Sequence, residues 1–304
     1  MHTRSRISVV ALIGIVLACV VVDVALHRGF AWIFAFNYLD NGLSPSSLLT
    51  SGIFPLAAFA GFAVMFAFVA LVYARVRPQL GGTSVAAAMR FCTPIALIMF
   101  FGVLESAVVF PTPFRAEIIT AIADAVPYLL LGVLLGSFAT RAAEQAGGSG
   151  GEFAPWPSML WVALVYVAGR YLISYPVLHI ASGYIDRPIG TLAWTVACGL
   201  SMGAFYWLAG SAFFAKSRLR RTMGVAGTLG MFWLMVQLFY ALIFAVSIAD
   251  LVIRGAADTV YLFAAIYSFE TLFRRNDVTT SAGSPTPPAK SAHRQQCETD
   301  VAAH

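Results

Sequence analysis

Eight stretches of about twenty mostly apolar residues follow one another along this chain, and each is long enough to cross a hydrocarbon layer as a helix. They cover 7–26, 48–73, 91–110, 116–138, 158–181, 189–214, 223–249 and 257–273. A soluble domain carries about 25% charged residues. Here 60% of 304 residues are hydrophobic and only 11% charged, with mean hydropathy +0.81, so lipid is the expected solvent. The expected fold is all-α, a polytopic membrane helix bundle of about eight transmembrane helices. The first stretch follows Arg4 and Arg6 as a signal peptide would. It is longer than such an apolar region and no clear A-x-A site follows, so it reads as a retained helix.

Charge sets the expected orientation. With the N-terminus inside, 14 Lys and Arg fall in inner segments and 4 outside, namely Arg28, Arg115, Arg187 and Arg254. The remaining one, Arg170, lies within a span. Cations accumulate on the cytoplasmic side, so both termini are expected inside. The expected location is a bacterial cytoplasmic membrane, with the lipid bilayer as the first partner. Between the first two spans, "FAWIFAFNYL" is too short to cross and is expected to lie in the interface, where Trp and Tyr settle.

The Gly- and Ser-rich "AAEQAGGSGGEFAPWP" divides the spans four and four. It is expected to be a cytoplasmic loop joining halves 1–141 and 158–275 of one bundle, 1–275. "YARVRP" and "FAKSRLRR", about 141 residues apart, place cations after the second and sixth spans. Positive-inside bias alone can produce that echo, but a repeat of four spans would run parallel. Gly132/Gly136 and Gly199/Gly203 are GxxxG pairs that let helices approach closely. The four cysteines are widely spaced and suggest neither a disulfide framework nor a zinc site.

Few ionisable groups lie well inside spans. Glu105, Asp124 and Arg170 are the clear cases, while Asp23, His179, Asp250 and Glu270 lie nearer the ends. An unpaired central Arg costs about 2.5–3.5 kcal/mol on the insertion scale. Arg170 sits roughly 16 Å below the outer end of its span, at 1.5 Å per residue. It is expected to pair with Asp124, whose depth is closer, or with Glu105. Tyr171 and Tyr175 are four apart and share a face that could roof such a pair. Pro176 frees a carbonyl one turn back and is expected to kink the helix. Gln237 is a further candidate lining residue. These six side chains form either a ligand pocket or an ion pair that locks helix register.

Several membrane chemistries lack their residues. Neither lysine lies in a span, so a retinal Schiff base is not expected. His179 is the one histidine within the spans, against a buried bis-histidine haem. HExxH and GxxxxGK[ST] are absent, and the two GxSxG matches, 147–151 in the Gly-rich loop and 199–203 inside an apolar span, lack the strand-to-helix turn that a nucleophile elbow needs. No catalytic residue, metal or cofactor is therefore expected.

After 275 the chain turns to "VTTSAGSPTPPAKSAHRQQCETDVAAH", which reads as a flexible cytoplasmic tail over 276–304. Its Cys297, Val301 and Ala302 form a C-x-x-x-V-A pattern. With the small-residue span "GLSMGAFYWLAGSAFFAKSRLRR", that pattern resembles the multi-spanning membrane region of bacterial LuxR-type regulators. The resemblance implies a sensor half without the helix-turn-helix output half, so no residue here would contact DNA. Three functions are open from sequence. The first is a sensory or signalling domain with an outward polar pocket, a small-molecule ligand, and a membrane partner or second copy of itself. The second is a small-molecule permease, and the third a structural subunit of a membrane complex.

Overall fold

The computed structural model describes residues 8–35, 43–110, 112–138, 153–213 and 217–273. The Gly-rich loop over 139–152 and the tail after 273, with its C-x-x-x-V-A pattern, lie outside the described residues. The helices are α1 (Val9–Phe34), α2 (Ser47–Thr50), α3 (Phe54–Val76), α4 (Ser84–Val109), α5 (Phe114–Phe138), α6 (Pro157–Gly169), α7 (Pro188–Ala209), α8 (Arg218–Ile243) and α9 (Ile248–Leu272). Seven of them, counting short 3-10 or π extensions, are long and apolar enough to cross a membrane. The protein is a membrane protein with an all-α helical bundle. Its outer faces are apolar: Val10 on α1, Leu56 on α3 and Leu164 on α6 are all more than half exposed. Lipid contact explains such a surface, whereas water would make it a large unsatisfied patch.

Contacts fix which helix ends meet. At one end Ser84 donates to the Gly136 carbonyl at 2.6 Å, Arg90 to the Leu208 carbonyl at 3.0 Å, and Arg221 to Glu270 at 2.7 Å. At the other, Arg187 donates to the carbonyls of Ala107 and Phe110 at 2.8 Å. There too Arg254 donates to the Ala181 carbonyl at 2.8 Å, and the Arg115 guanidinium lies 5.9 Å from the Phe34 ring. The eight long helices therefore alternate in direction. The first end carries Arg75, Arg77, Arg90, Arg218, Arg220 and Arg221, and is called the basic end below.

Several span boundaries differ from expectation. α9 begins at Ile248 rather than 257, so Arg254 lies inside a helix and not in a loop. It runs the height of the bundle although Asp250, Arg254, Asp258 and Glu270 lower its hydropathy. α1 continues to Phe34, so "FAWIF" extends the first helix instead of forming a separate interfacial segment. The second stretch is two helices, α2 and α3, broken at Ser51–Ile53. A lone bridge of extended backbone pairs Pro45 with Phe244 beside α2 and joins the two halves at the non-basic end.

α6 ends in a π turn, Arg170–Ser174, where the Tyr175 N–H reaches back to the Arg170 carbonyl at 2.9 Å. Pro176 has no N–H to continue an α-helix, and the helix stops there instead of bending and running on to 181.

The two halves repeat in length and adjacency. α4 and α8 cover 84–109 and 218–243, and α5 and α9 cover 114–138 and 248–272. α3 and α7 start at 54 and 188. All three pairs are offset by 134 residues, not by the 141 that separates the basic motifs. In the first half α1 packs on α3 and α5, and α4 on α5. In the second α6 packs on α7 and α9, and α8 on α9. Across the halves α4 meets α7 and α3 meets α8, with α4 and α8 touching between them. Paired helices run the same way, so the repeat is parallel.

Both GxxxG pairs lie at close helix contacts. A Cβ on Gly132 would come 3.0 Å from the Cys92 Cβ, and one on Gly136 would reach 2.5 Å from the Val85 backbone. A Cβ on Gly203 would meet the Met159 carbonyl carbon at 3.0 Å, while one on Gly227 would face open space. Overpacking of this kind costs about 1–3 kcal/mol. Gly203→Ala is expected to lower thermal stability in detergent by that amount. Gly227→Ala should be neutral or stabilising by up to about 1 kcal/mol.

Candidate functional site

Two polar sites lie in the half of the bundle away from the basic end. One is closed and the other open.

The closed site is built around Arg170. Gly169 lets α6 approach α9 so tightly that a Cβ there would lie 2.5 Å from the Tyr261 ring. That approach puts Arg170 against Asp258, one turn before Tyr261 on α9. The Arg170 Nε donates to Asp258 Oδ1 at 3.0 Å, its Nη2 to Asp258 Oδ2, and its Nη1 to Glu105 Oε1 at 3.0 Å. Arg254 donates to the same Glu105 oxygen at 2.7 Å, and Gln237 Nε2 to Oε2 at 2.6 Å. Asp258 also accepts from Trp233 Nε1 at 2.7 Å and from the Tyr166 hydroxyl at 3.3 Å. The guanidinium carbon of Arg170 lies 4.6 Å from the Trp194 ring centre and 5.2 Å from that of Tyr166. Two buried guanidinium groups thus face two buried carboxylates, and donors fill the remaining acceptor positions. Each charge is retained in a low-dielectric interior because its partners replace the water it lost.

Arg170, Glu105 and Gln237 of the sequence candidates come together here. Asp124 does not meet Arg170, because α5 packs on α4 and α1 while α6 packs on α7 and α9. Asp258 takes that place. Tyr175 donates to or accepts from Thr195 Oγ1 at 3.2 Å and packs against Tyr171 and Tyr184, with ring centres 5.2 and 5.4 Å away. The rings that cover Arg170 are those of Tyr166 and Trp194 instead. Sequence reading missed Asp258 and Arg254. Their signal was the four-residue spacing of Asp250, Arg254 and Asp258, which puts all three on one helix face.

The open site is a cavity of about 450 Å³ between α1, α3, α4, α5 and α8. Most of its wall is apolar, including Val24, Phe62, Met99, Val236 and Phe239. Its polar lining includes Asp23, His27 and Asp124. Asp23 is 0% exposed, and neither of its carboxylate oxygens has a hydrogen-bond partner. Asp124 Oδ1 likewise has none, and it lies 3.4 Å from His27 Nε2. His27 Nδ1 is 3.0 Å from the Asp23 carbonyl and 3.7 Å from its Oδ2. One ligand atom from each of the three residues lies within 4.8 Å of the others, so by spacing they could also hold a metal ion.

Toward the basic end the interior is filled with rings. Phe66 lies 4.7 Å from Tyr128, Tyr128 5.5 Å from Phe232, and Phe91 5.2 Å from Phe205. All five are fully buried. Compared with protein-family models, curated proteins and solved structures, the chain matches none of them.

Losing one partner of a buried ion pair costs about 3–5 kcal/mol, because the other charge stays behind. Arg170→Met and Asp258→Leu are each expected to destabilise by that amount. The double variant leaves Glu105 balanced by Arg254 and should recover at least half of the summed loss. Asp124→Asn should leave the closed site intact. Thermal unfolding of the four purified variants in one detergent checks this.

Proposed function

We propose that this chain is a sensory or signalling membrane domain that takes a small molecule into the open pocket. The observation that carries this reading is the pocket's shape. It is a largely apolar cavity with a few polar groups, the usual form of a ligand site, and packed aromatic rings lie between it and the basic end. A permease needs a path to both faces, and that ring layer argues against one. The closed site serves as the lock that holds the bundle around the pocket.

In this reading the basic end faces the cytoplasm, as the positive-inside rule favours. The pocket then faces outward, and the tail after 273 carries the output to a partner or to a second copy of the chain. The C-x-x-x-V-A resemblance supports that role for the tail.

Orientation is checked with single added cysteines in a background lacking Cys297, the other three native cysteines, Cys19, Cys92 and Cys198, being buried. A membrane-impermeant maleimide is expected to label Ser51→Cys in intact cells, and Thr83→Cys only after permeabilisation. The opposite pattern reverses the topology. In proteoliposomes offered a panel of radiolabelled small metabolites, compounds should bind without accumulating, and accumulation would replace the sensory reading with the permease one. Truncation after 275 should abolish signalling while leaving binding unchanged.

A further inference from the structure

The internal repeat compares the two sites residue by residue. At an offset of 134, Asp124 on α5 corresponds to Asp258 on α9. α1 and α6 fall outside that offset, since His27 and Arg170 are 143 residues apart, but on them His27 meets Asp124 as Arg170 meets Asp258. Asp23 and Tyr166 each lie one turn earlier, and the Tyr166 hydroxyl donates to Asp258. The same constellation is therefore built twice.

In the second half the constellation is full. Asp258 accepts from a guanidinium, an indole N–H and a phenol. In the first half every filling group is smaller. Met99 stands where the second half has Trp233, Thr120 where it has Arg254, and Ser106 where it has Tyr240. All three smaller residues line the open pocket. The cavity is thus the volume that Arg170 and its neighbours occupy in the other copy.

Charge is left unbalanced in that volume. Asp23 and Asp124 are 0% and 5% exposed, and Asp23 has no hydrogen bond to either oxygen. A carbonyl only accepts, so His27 Nδ1 must carry the hydrogen that meets the Asp23 carbonyl at 3.0 Å. In neutral His27 the Nε2 lone pair then faces the Asp124 carboxylate across 3.4 Å. If His27 is protonated, one positive charge still faces two negative ones. Arg28 and Glu117, which also line the cavity, carry opposite charges and cancel, so either way the group is short of positive charge, and Asp258 shows what the equivalent carboxylate takes: a planar nitrogen cation with N–H donors.

We propose that the open pocket binds an organic cation, an ammonium or guanidinium ion on an apolar body, with Asp23 and Asp124 as its counter-ions. This rests on reading the pocket as a ligand site. The apolar wall accounts for the body: a bare metal ion would neutralise the carboxylates but leave most of the 450 Å³ unfilled. Phe62 and Phe239, with ring centres 4.6 Å apart, offer faces that attract a cation or stack on an aromatic body.

The test uses the full chain in detergent and a graded panel of alkyl and aryl ammonium and guanidinium ions. Each is paired with its neutral alcohol and its carboxylate counterpart, and binding is read by equilibrium titration. Whichever body fits, the cationic form is expected to bind at least tenfold more tightly than the alcohol, and the carboxylate not measurably. Asp124→Asn and Asp23→Asn should each remove at least tenfold from binding of the cation, and cooperative thermal unfolding of each variant reports that it is folded. Met99→Trp, which copies the second half, should block every member. Equal binding of organic cation and alcohol overturns the cation inference and leaves the ligand pocket standing. Saturable binding of zinc alone with no organic cation binding makes the site a metal centre and also overturns it. If no member of any charge binds, the pocket reading falls as well.

Discussion

Glu105 carries the structure's heaviest electrostatic constraint. One carboxylate, 2% exposed, is reached by Arg170 from α6, Arg254 from α9 and Gln237 from α8, while its own helix is α4. Four helices from both halves therefore converge on two oxygen atoms. Van der Waals packing alone fixes membrane helices weakly against one another, because lipid tails compete on equal terms. A shared buried carboxylate does not allow such sliding. Moving any of the four helices by a turn strands a charge where no water can solvate it. The small residues make the close approach possible, and the charges make it specific.

The fold was legible because hydropathy is a bulk property of long segments. The number of long helices and their alternation follow from twenty-residue runs and the placement of Arg. The site was less legible, because hydropathy marks polar residues inside a span as span ends. Arg254 and Asp258 lowered the local average and pushed the apparent start of α9 to 257, which put Arg254 in a loop and hid Asp258. His27 was lost the same way, just past the apparent end of the first span. Arg170, Glu105 and Gln237 stood out because apolar residues flank them on both sides. Depth alone could not choose between Asp124 and Glu105, since it says nothing about which helices are neighbours. Helix spacing carried the missing information: Asp23 and His27, like Asp250, Arg254 and Asp258, are four residues apart.

A parallel repeat explains why one chain holds two such different sites. Two copies of a four-helix unit begin with equivalent positions, and the copies can then specialise. Here the second unit fills its interior with Trp, Tyr and Arg and contributes most of the lock. The first keeps Met, Ser and Thr at those positions and retains a cavity. The lock thus draws mostly on the second unit and the cavity wall mostly on the first, with α8 contributing to both.

The bridge between Pro45 and Phe244 has a mechanical consequence. It joins the halves at the rim of the cavity, where Ser46 N donates to the Ile243 carbonyl at 2.9 Å and Ala245 N to the Ser44 carbonyl at 2.9 Å. Peptide groups released there can bond to water at the surface, so opening the rim loses little. Parting the halves at the other end would expose stacked rings and an aromatic interior. The bridge is therefore a clasp that can part only locally, beside α2, because Glu105 still ties α4 to α6 and α9 in the same half of the bundle.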